Sequence, residues 1–203
     1  MKNKLFLLLA LSCLSRASFA APATFDFKDP KGVNNASFKL DAPLEAVHGT
    51  ADGVSGTVTF DPGAPAATKG KITIAAASMR VANSAMQGHM LGDQWMDAAK
   101  FPEITFETKE LKNVKTAGDV TTADAVGTFT LKGVAKEITA PVKLTYLKDK
   151  LKDRFPKLNG DLLVIRSTFS INRSDFGLMP GKMTDKVAET IELSLSIAGA
   201  AAK

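Results

Sequence analysis

An all-β fold is the expectation, and three observations carry it. Apolar residues recur at every second position in run after run, with Thr, Ser, Lys and Glu between them, so each run has one dry face and one wet face. Turn-forming pairs such as Asp52-Gly53, Lys69-Gly70, Gly118-Asp119, Lys132-Gly133 and Asn159-Gly160 fall between these runs, where a reversing chain needs them. Only two segments break the alternation. One-faced strands suit an antiparallel sheet, and so many in succession must close into a barrel or pair as a sandwich, because open edges invite association. The spacing alone leaves both architectures open.

The strands follow in order. Phe25/Phe27, Phe38/Leu40, Val58/Phe60, Ile72/Ile74/Ala76 and Ile104/Phe106 mark the first five. Phe129/Leu131 and then Ile138/Ala140/Val142/Leu144/Tyr146 are joined by Lys132-Gly133, a tight hairpin. Pro141 lies inside the second of these and implies a bulge or a sheet edge, since proline has no amide to give a ladder. Leu163/Ile165/Ser167/Phe169/Ile171 and Ile191/Leu193/Leu195/Ile197 complete the set, and residues 63–70 read as a flexible loop. The two exceptions are residues 84–100, short helical turns weakened by Gly88 and Gly92 and ended by Phe101-Pro102, and residues 147–158. There Leu147, Leu151, Phe155 and Leu158 recur at helical spacing among Lys, Asp and Arg, with Pro156 limiting the helix to about two turns.

Residues 1–20 read as a secretory leader: Lys2 and Lys4 precede an apolar run and a small-residue site at Ser18-Phe19-Ala20. The run is shorter than the about 20 residues a membrane span needs. The expected destination is the periplasm, with one domain over 21–203, and Cys13 raises the separate question of a lipidation site. Without the leader's Lys2, Lys4 and Arg16, 23 cations face 21 acids, a net charge of +2. That argues against a nucleic-acid-binding face. No cysteine remains, so disulfides, thiolate nucleophiles and Cys-ligated metals are excluded.

Catalysis finds little to work with. The two histidines, His48 and His89, sit in no nucleophile motif, and no G-x-S-x-G occurs. His89 with Asp93 four residues on makes at most half of a metal site, and Asp97 with Glu103 reads as solvated charge. Asp175-Phe176-Gly177 lacks every other element of a kinase, and Arg173 is either an anion ligand or a structural hydrogen-bonding group. We therefore expect no enzyme, no catalytic residue, no metal and no cofactor. A barrel of about eight strands can instead enclose one apolar ligand. The inward side chains would be Phe38, Phe106, Phe129, Leu131 and Phe169, with Trp95, Met96, Phe101 and Phe176 near an opening; alternation does not tell a hollow core from a filled one.

Three ordered motifs then sharpen the expectation. GHMLGDQWMDAAKFPEITFET, GTFTLKGVAKEITAPVKL and STFSINRSDFGL, behind a leader, resemble the YceI-like family of periplasmic polyisoprenoid-binding proteins. The matching positions are His89-Met90, Trp95-Met96-Asp97 and Lys100-Phe101-Pro102, then residues 128–136 and 172–177. The resemblance implies a lipocalin-like antiparallel barrel with an apolar tunnel, and a carrier that sequesters an isoprenoid lipid or quinone. Brief contact with a membrane surface and a homodimer are both compatible with it. The alternative is a non-enzymatic interaction or stress-related module with a solid core and a surface partner. This chain departs from the family at residues 35–37 and 41–42, where histidines are usual, and at the charged 147–158 segment, which stands in place of a glycine-rich connection and reads as an insertion, a lid or a surface for anionic lipid.

Overall fold

The computed structural model describes residues 21–203, so the expected leader lies outside the described residues. Eleven strands are formed among them: β1 (Ala23–Asp26), β2 (Asn35–Asp41), β3 (Ala46–Ala51), β4 (Val54–Phe60), β5 (Lys69–Ala75), β6 (Met79–Val81), β7 (Glu103–Ala117), β8 (Val120–Leu131), β9 (Val134–Leu147), β10 (Gly160–Asn172) and β11 (Thr190–Ala202). Helices α1 (Ser84–Leu91) and α2 (Leu151–Arg154) are short. All pairings are antiparallel. Strands β1-β4-β5-β7-β8-β9-β10-β11 form a closed eight-stranded barrel through the pairing of β1 with β11, and β2-β3-β6 extend it beyond the closure. The barrel is the observed solution of the two left open.

On the edge opposite β10, strand β11 serves two partners, β2 along Glu192 to Ser196 and β1 at Ala200. Between them residues 27–34 leave the sheet. The Asp29 carboxylate collects the amides of Lys31, Val33 and Asn34 at 3.0, 2.7 and 2.8 Å, an acceptor cluster that fixes the excursion. Asn34 is buried and stands in for the missing ladder: its amide donates to the carbonyls of Phe27 and Ala198, and its oxygen accepts from the Ala198 N–H at 2.8 Å.

The hairpin expected at Lys132-Gly133 is present, with φ of 49° and 74°, the two positive values a type I′ turn requires. Pro141 proves to mark an edge. Pairing of β9 with β10 ends at Val142 opposite Ser167, whose hydroxyl donates to the Pro141 carbonyl at 2.8 Å. Above that point β9 remains paired with β8 and β10 with β11, but not with each other. The wall therefore has a seam without a ladder, bridged at its far end by the Lys136–Asp175 ion pair at 2.8 Å.

Two apolar clusters fill the barrel unequally. At the end carrying the β9–β10 connection, Phe25, Phe27, Phe60, Leu163 and Ile197 are at most 2% exposed. Tyr146 packs on Phe25 and Phe60 with ring centres 6.3 and 6.0 Å away. Leu151 of α2, fully buried, stops this end. The helix expected over 147–158 is thus a single turn, because Phe155 before Pro156 is held extended (φ −133°, ψ 92°) by the ring that follows it. The opposite end is covered by residues 82–102 and 173–189 and holds the second cluster.

Candidate functional site: an apolar lumen

The second cluster surrounds a cavity of about 200 Å³. Its roof comes from the segment after β6. Asn83 caps α1 by accepting from the Met86 amide at 3.0 Å, and Gln87 fastens the helix to β6, accepting from the Val81 N–H and donating to the Met79 carbonyl at 2.8 and 2.7 Å. Past Gly92 the chain folds back on the helix end: the Met96 and Ala98 amides bond to the carbonyls of Met90 and Leu91. Asp97, with φ of 47°, takes the left-handed conformation this reversal needs, and its carbonyl accepts from Lys100 and Phe101. The helix itself buries no residue. The fold-back buries Met96 and, with Trp95, joins Met90 of the helix end over the lumen.

The walls are aromatic, yet they leave room. Phe38 lies across Gly49 on β3, and a Cβ built on Gly127 would stand 2.6 Å from the Phe106 ring. Each ring lies flat against its wall because the neighbouring strand has no side chain there. Phe129 makes edge contacts with Phe169 and Phe176 at 6.0 and 5.5 Å. Of the nine side chains expected at the ligand, Phe38, Trp95, Met96, Phe106, Phe129, Leu131 and Phe169 line the cavity. The other two do not: Phe101 turns outward over Gly133 with Lys100 above its ring, and Phe176, 1% exposed, backs Phe129 from behind. The sequence reading missed Met79, Leu178 and Ile191 in the lining. Ile191 opens an alternating run and was legible; Met79 starts the three-residue β6, too short to show alternation, and Leu178 lies in irregular chain, where period two gives no direction.

The polar inventory decides what the lumen accepts. Arg173 is the only ionisable residue on the lining, and it is fully buried. Its donors go to the carbonyls of Ala188, Leu178, Met179 and Lys182, and its guanidinium lies 5.9 Å from the Trp95 ring. Of the two readings of Arg173, the structural one holds: it stitches the 173–189 connection to the roof. Among the described residues no buried side-chain nitrogen or oxygen lacks a hydrogen-bond partner. An occupant would find no free polar group to meet, so the cavity suits an apolar one.

The other candidates do not assemble. His48 and His89 are exposed and make no ring hydrogen bond or ion pair among the described residues. No group of three or more His, Cys, Asp or Glu residues that could hold a metal occurs among them. A wider depression of about 590 Å³ crosses the outer faces of β2, β3 and β11 among Lys39, His48, Arg80 and Glu192. It faces solvent, and Lys39 is already paired with Asp41 at 2.8 Å.

Comparison with known proteins agrees with this geometry. The family model described as the YceI-like domain matches residues 20–198. A UPF0312 protein of Pseudomonas savastanoi pv. phaseolicola is 31% identical over 153 residues, 75% of this chain and 73% of the relative. One from Yersinia pestis is 32% identical over 148 residues, covering 71% and 74%. Among solved structures, Burkholderia cenocepacia BcnA superposes with a TM-score of 0.66 at 24% identity, over 81% of this chain and 95% of that one. The Campylobacter jejuni YCEI protein gives 0.62 at 24% identity, over 75% and 83%. At such identities the structures speak for the fold.

Proposed function

Since this chain belongs to the YceI-like family, we propose that it is a carrier that holds the tail of an isoprenoid lipid, such as a polyprenyl quinone, in the lumen. The observation that carries the reading is an apolar cavity lined mainly by Phe, Met, Leu and Ile, with every buried polar side chain among the described residues already satisfied. Burial of hydrocarbon contributes about 25 cal/mol per Å² before immobilisation costs, which needs no polar contact. The solid core that the alternative module requires is found only at the opposite end.

The volume sets how such a lipid would sit. About 200 Å³ takes roughly seven groups of methylene size, each near the about 30 Å³ of one liquid water. A long isoprenoid would enter by its tail end, with Met79, Met90 and Met96 as the lining side chains best able to give way. The leader expected over 1–20 would set this activity in the periplasm. No reaction is proposed, since neither histidine reaches the lumen. Native mass spectrometry of protein purified from a membrane-containing lysate, followed by addition of polyprenyl quinone, tests the reading. A bound mass of isoprenoid size is expected; apo protein that takes up no added quinone overturns it.

A further inference from the structure

The charge of this protein is concentrated in one place. Residues 147–158 hold Lys148, Lys150, Lys152, Arg154 and Lys157 against Asp149 and Asp153, a net +3, whereas residues 21–203 together carry +2. The rest of the described chain is therefore −1. The fold also consumes both acids: Asp149 pairs with Lys203 at 2.9 Å and Asp153 with Lys150 at 3.2 Å. Lys148, Lys152 and Lys157 are exposed and form no ion pair among the described residues.

Apolar surface lies among these lysines. Leu158 is 46% exposed, and half-buried Phe155 sits beneath Lys31 and Arg154 at 5.1 and 5.7 Å. The adjoining 27–34 excursion exposes Val33. Nor does this surface hang loose. Leu151 is fully buried, and Arg154 clamps Asp29 at 2.9 Å, joining the two segments. Unpaired lysines with long apolar stems, flanking an aromatic and a leucine on a fixed support, fit the interface of an anionic bilayer, where the stems sink and the ammonium groups meet phosphate.

We infer that residues 147–158 are a docking surface for anionic membrane lipid. Because they join β9 to β10 at the filled end, docking directs the hollow end, with Trp95, away from that bilayer. This does not depend on what the lumen holds, since docking is measured without any guest.

Sedimentation with phosphatidylcholine vesicles, with and without phosphatidylglycerol, tests it. Binding is expected only with phosphatidylglycerol and is lost at high salt. The triple variant K148Q/K152Q/K157Q should bind roughly a hundredfold more weakly, each lysine contributing about a fivefold factor. Brominated lipid reads the orientation, because Trp95 is the only tryptophan of the chain. It should quench the emission that Leu158→Trp adds and leave that of Trp95 unchanged. Binding indifferent to phosphatidylglycerol or to the three lysines overturns the inference, as does quenching of Trp95 with Leu158→Trp emission untouched.

Discussion

Asp161 ties three parts of the filled end together. It accepts from the Tyr146 hydroxyl at 2.9 Å, from the Asp149 amide at 2.8 Å and from the Lys203 ammonium at 2.9 Å. Burial alone would raise its carboxyl, but the Asp149 amide, Lys203 and Tyr146 outweigh it and hold the group below the usual carboxylate value. Burial and the bond to Asp161 push Tyr146 up to about 12. The hydrogen bonds to Asp149 and Asp161 raise Lys203 as well. A carboxyl depressed in the native state stabilises the fold above its unfolded pKa, and the contribution goes as pH falls through the native one. The raised pair act oppositely: they stabilise below their unfolded values and lose this as pH climbs, for Tyr146 between about 10 and 12. Denaturant midpoints should therefore fall below about pH 4, and Asp161→Asn should flatten that acid limb while lowering the neutral midpoint. An unchanged acid limb in the variant would refute the assignment.

At the scale of elements, the seam between β9 and β10 makes a distinct prediction. The Pro141 carbonyl faces β10, so the amides of Ala135, Glu137 and Thr139, at the same phase of the strand, face the side where β10 has departed. Those of Lys136, Ile138 and Ala140 point to β8. Amide hydrogen exchange followed by NMR should separate the two sets, the first exchanging far faster; equal protection would mean that the seam is closed by a ladder. Pro141 made this edge legible in the sequence, as Lys132-Gly133 did its hairpin. The excursion at 27–34 was not legible, because Asp29 and Asn34 look like ordinary turn residues until Phe27 and Ala198 are seen to need Asn34 across the barrel. The 147–158 helix was overestimated for a related reason: helical spacing of Leu151, Phe155 and Leu158 is outweighed by the backbone restriction before Pro156.

The whole molecule divides into an end that supplies stability and an end that supplies space. Leu151→Ala at the filled end should cost about 2–5 kcal/mol in denaturant unfolding and leave uptake of an apolar guest unaltered. A parallel loss of uptake would mean that the two ends are coupled. Alternation pointed to five inward-facing lumen residues, and all five line the cavity, because side-chain direction in a strand is set by parity alone. It could not resolve Phe101 from Trp95, six residues apart in irregular chain, since there the direction depends on bonds such as those made by Asp97. Nor could it say that the barrel is solid at one end and hollow at the other, which turns on Gly49 and Gly127 leaving space for rings to lie flat.

Arg173 carries a last consequence. It is the only ionisable residue on the lining, and its donors are already held by the carbonyls of Ala188, Leu178, Met179 and Lys182. Both histidines stand outside, exposed to solvent. The lining offers no carboxylate or imidazole, so an occupant of the lumen would leave by displacement of the roof side chains Met90, Trp95 and Met96.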